Sequence, residues 1–292
     1  MQRRILVTGA SGNVGKAVIN YLSLIAADSK IIVGTRNIQK TKELFANFPD
    51  LEYVHLDFEE PSTFQKALSG VDTVFLLRPP HISNVQKYIA PFIEEISSED
   101  VNEILFLSVQ GAEKSKIIPH SRIEKLILEH NIPYIFLRPS YFMQNLTTTL
   151  LDDIRVHQNI VLPAGKARFN WVDADNVGEM AAVLINDFNR YKNNIHEITG
   201  YENKSFDEVV DQISVVTGNN ITYTSMNPIQ YFRFKKKKGM KKEKILVMIM
   251  LHFFSRFQKS PSISTFYEHL TGKRPTTLKD FIIREKSLFI SG

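Results

Sequence analysis

The length and composition of the chain are those of a globular protein. It has 292 residues, of which 43% are hydrophobic and 23% charged, enough to bury the core of one large or two modest domains. The absence of cysteine excludes disulfides, thiolate metal sites and a cysteine nucleophile. The net charge of +5 is concentrated between Phe234 and Lys244, where seven lysines accompany one glutamate, so the rest of the chain is close to neutral. We therefore expect no nucleic-acid partner.

Two apolar runs bear on localisation. The N-terminal stretch MQRRILVTGAS has an apolar run of only three residues before Thr8, too short for the apolar core of a signal peptide. The run ILVMIMLHFF after the lysines is ten residues long, too short to span a membrane. These observations predict a cytoplasmic protein without a membrane span.

Short apolar runs alternate with segments of helical period from Arg4 to about Arg138. The predicted strands are RILVT, KIIVGT, LEYVHL, DTVFLL, EILFLS and YIFLRP, and the predicted helices are Val14 to Ala26, Ile38 to Phe48, Ser62 to Ser69, Ile82 to Ile96 and His120 to His130. This alternation predicts an α/β fold, a Rossmann-type doubly wound parallel sheet. Because the alternation becomes irregular beyond Tyr141, we expect a Rossmann domain over residues 1–150. A smaller α+β substrate domain would cover 151–292, with some segments returning to the first.

A glycine-rich turn follows the first strand and runs directly into a helix. Its sequence is TGASGNVG, with glycines at positions 9, 12 and 15. Glycine permits a tight turn, lets backbone N–H groups approach a pyrophosphate and lets the helix pack close to the strand, while the helix N-terminus favours negative charge. The turn therefore predicts a dinucleotide site, for which the expected cofactor-binding residues are Gly9, Ser11, Gly12, Asn13, Val14 and Gly15.

The end of the second strand indicates which dinucleotide is preferred. NAD-preferring sites usually carry a carboxylate here, to accept hydrogen bonds from the ribose hydroxyls. This strand instead ends GTRN, where Arg36 is placed to pair with the extra phosphate of NADP and Lys40 lies one helical turn further on. We expect NADPH rather than NADH; the alternative is that Arg36 is a solvated loop charge.

An ordered series of motifs resembles the NmrA-like group of atypical short-chain dehydrogenases, which includes NAD(P)H-dependent quinone oxidoreductases and redox-sensing regulators. The motifs are TGASGNVG, GTRN, LDFEEPSTFQKALSGVDTVFLLRP, LSVQGAE, HSRIEKLILEHNIPYIFLRPSYFMQN and WVDADNVGEMA. The resemblance weakens beyond about Asn219. It implies that Asp57 and Phe58 lie near the adenine and that Leu77 and Arg78 follow the strand bordering the cofactor. It also implies that Pro139 to Phe142, Tyr141 among them, approach the nicotinamide.

The superfamily's usual catalytic tyrosine and lysine, four residues apart, are missing from the expected place. His120 and Glu124 stand there instead, and Ser108 ends the preceding strand, where the resemblance implies a serine. At about 100° per residue, His120 and Glu124 fall in the apolar arc of their helix. His120 is the expected partner of Glu124. The pair either is structural, or lines the nicotinamide pocket with Glu124 fixing the tautomer of His120.

We therefore predict an NADPH-dependent oxidoreductase that transfers hydride to a small quinone or conjugated carbonyl. The alternative is a non-catalytic redox sensor that binds NADP(H) and acts through a protein partner. A homodimer is a further alternative. No metal site is expected, because His196, Asp173 and Asp175 lack ligand spacing. We interpret the lysine run as a solvated turn before a core helix; docking to a membrane surface or to nucleic acid is the less favoured interpretation.

Overall fold

The computed structural model describes residues 2–99, 101–115 and 117–290 and divides into two compact units. The first unit comprises Met1–Pro139, Ala174–Ile198 and Phe266–Lys273, and the second comprises Ser140–Asp173, Thr199–Thr265 and Arg274–Gly292. The division thus falls at the end of the YIFLRP strand and not at residue 150. Two later segments return to the first unit: the first brings two helices and a strand, and the second brings one helix.

The first unit contains a seven-stranded parallel sheet. Its strands are β1 Arg3–Val7, β2 Ser29–Thr35, β3 Glu52–His55, β4 Thr73–Leu76, β5 Glu103–Leu107, β6 Tyr134–Pro139 and β10 Asn194–Ile198. Their order across the sheet is β10-β6-β5-β4-β1-β2-β3. All six strands predicted from the sequence are present, and the Rossmann-type fold class is confirmed. The edge strand β10 was not predicted, because NIHEI is exposed over its first two residues and lacks a continuous apolar run.

Helices flank this sheet. They are α1 Asn13–Ile25, α2 Ile38–Leu44, α3 Phe64–Leu68, α4 Val85–Tyr88, α5 Ala90–Ser98, α6 Pro119–Glu129, α8 Ala174–Asn186, α9 Phe188–Tyr191 and α13 Phe266–Thr271. The single helix predicted over Ile82 to Ile96 is in fact two, α4 and α5. Pro91 lies in the first turn of α5, where its missing N–H interrupts the continuous ladder of hydrogen bonds that one long helix would need.

The second unit is a mixed α+β structure. Its strands are β7 Tyr141–Phe142, β8 Asn159–Leu162, β9 Phe169–Val172, β11 Asn203–Lys204 and β12 Thr222–Ser225. Its helices are α7 Leu151–Arg155, α10 Phe206–Thr217, α11 Pro228–Lys237, α12 Lys242–Phe253, α14 Leu278–Arg284 and α15 Lys286–Phe289. Strand β9 lies between β7 and β11, and β8 pairs with β12. Each unit has its own hydrophobic core. Among the described helices, none is both long and apolar enough to cross a membrane.

Candidate cofactor and substrate site

The turn after β1 has a backbone that only glycine accommodates well. Gly9 has φ of +63°, and a Cβ there would stand 2.9 Å from the side chain of Leu77. A Cβ on Gly15 would overlap the carbonyl oxygen of Gly9. The glycines therefore close a tight loop and bring the start of α1 against the strand end.

The N-terminus of α1 has the features of an anion site. Gly12 is the N-cap and supplies no side-chain acceptor, and no acidic residue lies in the first turn. Ser11, Gly12 and Asn13 are exposed, whereas Val14 and Gly15 are buried. The first backbone N–H groups of a helix have no acceptors within the helix, and the helix dipole favours negative charge beside them. The turn thus fits a pyrophosphate on the exposed side, with Val14 packing inward.

Arg36 is exposed directly after β2, the strand next to β1 in the sheet. The following residue, Asn37, caps α2 by accepting a hydrogen bond of 3.0 Å from the Lys40 backbone N–H. This cap holds the loop, while the guanidinium of Arg36 stays in solvent at the same sheet edge as the glycine turn. The arrangement fits a phosphate on the adenosine ribose.

Asp57 and Phe58, expected near the adenine, are engaged within the protein. The Asp57 carboxylate accepts a hydrogen bond of 3.0 Å from the Glu59 backbone N–H, which forms a tight turn after β3. The ring of Phe58 lies in the core, 5.0 Å from the ring of Phe92 between centroids. Because this ring faces inward, a contact between Phe58 and an adenine would have to come from its backbone.

Leu77 joins the end of β4 to the glycine turn, and Arg78 follows it in the chain. The Leu77 backbone N–H donates to the Thr8 hydroxyl at 2.8 Å, and the Leu77 side chain fills the space beside Gly9. Arg78 donates through Nη1 to the carbonyl oxygens of Pro79 and Ile82. Its Nε is buried and, among the described residues, has no hydrogen-bond partner. A buried donor without an acceptor is costly, so this nitrogen is available to a ligand.

Ser108 and Glu124 are held in a buried ionic network. Arg138 forms a bidentate pair with Glu124, at 2.9 Å from Nε to Oε1 and 2.7 Å from Nη2 to Oε2, and a further bond of 2.6 Å to Glu113. The Ser108 hydroxyl donates to Glu124 at 2.5 Å. The predicted pairing of Glu124 with His120 is therefore wrong: in the described chain, the carboxylate is taken by Arg138 and Ser108. A fixed guanidinium satisfies both carboxylate oxygens, which one imidazole cannot do.

His120 lies apart from that network, with its ring stacked on Phe106 at 6.2 Å between centroids. Burial, together with the positive charge of Arg78, lowers the pKa of His120 to about 4. The imidazole is consequently neutral at pH 7. It can donate or accept a hydrogen bond, but it is not a reservoir of protons.

Pro139 belongs to the first unit and Tyr141 to the second. Pro139 ends β6 and its carbonyl accepts from the Gln110 backbone N–H at 2.9 Å. In the second unit, the Tyr141 hydroxyl lies 3.0 Å from Nε2 of His252, whose Nδ1 lies 2.7 Å from the Met248 carbonyl. Since that carbonyl requires a proton on Nδ1, Nε2 is the acceptor and Tyr141 is the donor. Burial raises the pKa of Tyr141, so it is a poorer acid than an ordinary tyrosine.

Three residues that make these contacts were not predicted from the sequence: Arg138, His252 and Thr8. Arg138 had a signal, because a charged residue inside the otherwise apolar strand YIFLRP requires a buried partner. His252 had none, since a histidine in a long apolar run is indistinguishable from ordinary core. Thr8 was passed over as part of the glycine motif, although its hydroxyl ties that turn to β4.

The sequence pattern of the NmrA-like family matches residues 1–282. The chain belongs to the NmrA-like family. Prestalk A differentiation protein A of Dictyostelium discoideum is 28% identical over 95% of this chain and 90% of its own length. The family predicted from the motifs is thus confirmed.

Solved structures of the same fold include NADP(H)-dependent enzymes. The triphenylmethane reductase of Citrobacter sp., crystallised with NADP(H), superposes with a TM-score of 0.82 and 25% identity, covering 97% of this chain and 99% of its own. The NADPH-dependent quinone oxidoreductase QOR2 of Escherichia coli, complexed with NADPH, gives a TM-score of 0.86 at 19% identity, covering 96% and 99%. The NmrA-like chain therefore groups with NAD(P)H-dependent oxidoreductases.

Proposed function

We propose that this protein is an NADPH-dependent oxidoreductase that reduces a small, electron-poor conjugated acceptor, with quinones as the preferred class. The observation that carries the proposal is the glycine turn at the end of β1, with its uncapped helix α1 and the exposed Arg36 on the neighbouring strand. The likeness to the NADP(H)-bound triphenylmethane reductase supports it. A bound NADPH would supply the hydride.

The chain's own residues would hold the cofactor and shape the pocket. The N–H groups of Asn13 and Val14 at the start of α1 would bind the pyrophosphate, and Arg36 would bind the ribose phosphate. The buried Nε of Arg78 would donate to an acceptor atom of cofactor or substrate. His120 would hydrogen-bond the substrate as a neutral imidazole. Glu124 and Ser108 would not contact the substrate themselves. They would fix the ends of the strands through their hydrogen bonds with each other and with Arg138.

The lack of a strong proton donor favours quinones over simple ketones. His120 is neutral at pH 7, and the Ser108 proton is committed to Glu124. A ketone needs a proton delivered to its oxygen as hydride arrives, whereas a quinone accepts hydride to give a stabilised hydroquinone anion. That anion then takes a proton from water, so the overall reaction consumes one NADPH, one proton and one quinone. Catalysis would come mostly from positioning.

The cofactor assignment is tested by titrating NADPH and NADH into the wild-type protein and into Arg36→Ala. A charge-assisted phosphate contact is worth about 1.5–3 kcal/mol, so we expect NADPH affinity to fall about tenfold to a hundredfold and NADH affinity to stay unchanged. Arg233→Ala, an equally exposed arginine of the second unit, is the matched control. Unchanged NADPH affinity in Arg36→Ala would refute the assignment.

Turnover with a panel of quinones, azo dyes and ketones separates the enzyme from its alternative. Steady oxidation of NADPH with quinones, reduced in His120→Ala and largely retained in His120→Gln, supports the proposal. The observation on the side of the sensor alternative is the similarity to a Dictyostelium protein named for differentiation. Tight NADPH binding without turnover of any acceptor would support the sensor and contradict the enzyme.

A further inference from the structure

The surface of α12 and the turn after it is apolar where a surface helix is normally polar. Six apolar residues project into solvent there: Leu246, Val247, Met250, Leu251, Phe254 and Phe257. They form what we call the outer face of α12. Phe254 is 56% exposed and Phe257 74% exposed. Contiguous apolar surface of this kind marks an interaction site more often than chance exposure.

The opposite side of the same helix is already used by the protein's own core. Ile245, Met248 and His252 are buried at helical spacing and belong to the interior of the second unit. From Ile245 onward, the helix is therefore anchored by its inner side and carries apolar residues on its other sides as well. Such a helix is expected inside a protein or at an apolar boundary, and not facing water.

Cations gather at both ends of the outer face. Lys236 to Lys238 at the end of α11 and Lys241, Lys242 and Lys244 at the start of α12 are all exposed. We call these six the lysine end. Lys235 is the exception in the run, because it is buried against Asp153 at 2.6 Å. At the other end, Arg256 and Lys259 are exposed. Glu243 is the only acidic residue of α12.

This charge distribution argues against a second copy of the chain as the occupant. A two-fold dimer through the outer face with the helices parallel would place one lysine end against the other. With the helices antiparallel, the lysine end would meet Arg256 and Lys259. Both arrangements bring like charges together as apolar surface is buried, which is unfavourable. The complementary partner is apolar in the middle and anionic around it.

We propose that the outer face of α12 docks on the surface of an anionic lipid bilayer. The six apolar side chains enter the boundary between headgroups and acyl chains, while the lysine end and Arg256 contact lipid phosphates and anionic headgroups. Interfacial helices combine apolar burial with cation attraction in this way, and neither contribution alone gives stable binding. The helix lies in the plane of the surface and does not cross it.

Vesicle co-sedimentation of the full chain tests the proposal. We expect capture by phosphatidylcholine vesicles that contain roughly one phosphatidylserine in three, and little capture by phosphatidylcholine alone. Raising the salt to about 1 M, where the screening length falls to about 3 Å, should release most of the protein. Equal capture by both vesicle types, or by neither, would overturn the proposal.

Variants of exposed residues separate the two contributions. Met250→Glu with Phe254→Glu should weaken vesicle binding about tenfold or more, because both charges would enter the apolar boundary. Lys237→Gln and Lys238→Gln should each weaken it about fivefold. The matched controls are Ile229→Glu and Lys279→Gln, which alter residues of the same unit that are also exposed but lie outside the outer face and the lysine end.

The rival occupants give different results. Should a second copy cover the outer face, sedimentation velocity would show a dimer that Phe254→Glu converts to a monomer, and anionic vesicles would not compete. Should nucleic acid be the partner, a DNA duplex would bind with dependence on the lysine end and none on Phe254. Either result, or a loss of binding in the controls equal to that in the outer-face variants, contradicts membrane docking.

Discussion

Helices α6 and α12 depart from the ordinary amphipathic pattern in opposite directions. Helix α6 exposes Arg122 and Lys125 on its outer side and buries the charged Glu124 on its inner side. Helix α12 has an apolar core-facing side and an apolar outer face as well. One helix carries charge where apolar residues belong, and the other carries apolar residues where charge belongs.

The difference lies in where each departure is compensated. The buried charge of α6 is compensated within the first unit, by the guanidinium of Arg138 and the hydroxyl of Ser108. The outer face of α12 is exposed in the folded chain, so its compensation has to come from another molecule. The buried charge of α6 therefore affects the stability of the fold, whereas the exposed apolar face of α12 affects binding to another molecule.

The largest expected effect comes from removing one member of the buried network of Glu124, Arg138 and Ser108. Glu124→Ala leaves Arg138 buried without its bidentate partner, and we expect the free energy of unfolding to fall by about 3–5 kcal/mol. Urea unfolding measures it. A cost no greater than that of Glu129→Ala, an exposed position on the same helix, would show that the pair is not a structural element.

A double replacement sharpens the same point. Glu124→Leu combined with Arg138→Met removes both charges, so we expect most of the stability lost in the single variant to return. Retained NADPH binding in the double variant would agree with a positioning role for the network. Loss of NADPH binding in a stably folded double variant would give these residues a more direct part than the hydrogen bonds indicate.

The first unit was largely predictable because its signals are local. A continuously apolar run such as EILFLS is a buried parallel strand almost irrespective of context, and a glycine turn between strand and helix has few other uses. The partner of Glu124 was not predictable in the same way. Helical spacing pointed to His120, four residues away on the same helix, whereas the partner in the structure, Arg138, lies on strand β6.

In the second unit, the sequence pattern did not show which residues of α12 and of the lysine run are buried. The interpretation of ILVMIMLHFF as a core helix holds for Ile245 and Met248 but not for Leu246 and Met250. A sequence apolar at every position carries no periodicity, so it does not reveal which side is covered. The buried Lys235 within the lysine run was equally hidden, because only the fold brings Asp153 to it.

The inner side of α12 carries a buried histidine, His252. Burial lowers the pKa of His252 to about 4, below the ordinary value of 6.5. The unfolded state therefore binds more protons between these values, so stability rises with pH across this window and is lost as pH falls from 6.5 to 4. From these two pKa values, we expect His252 to change the free energy of unfolding by about 3 kcal/mol across the window.

Stability curves of the wild type and of His252→Gln across that window measure this effect. Glutamine retains an acceptor for the Tyr141 hydroxyl but does not titrate, so the pH dependence should become shallower, with the slope due to His120 left in place. His157→Gln, at an exposed position, is the control. An unchanged slope in His252→Gln would mean that His252 is not held neutral in the folded protein.

The smallest expected effect falls on the outer face of α12. Phe254→Ser and Leu251→Ser change residues that already contact water, so the free energy of unfolding should move by no more than about 0.5 kcal/mol. Met248→Ala on the inner side should cost about 2–5 kcal/mol, because it leaves a cavity in the core. If Phe254→Ser costs as much as Met248→Ala in urea unfolding, the outer face is covered in the folded protein. In that case α12 is an ordinary buried helix, and the contrast with α6 disappears.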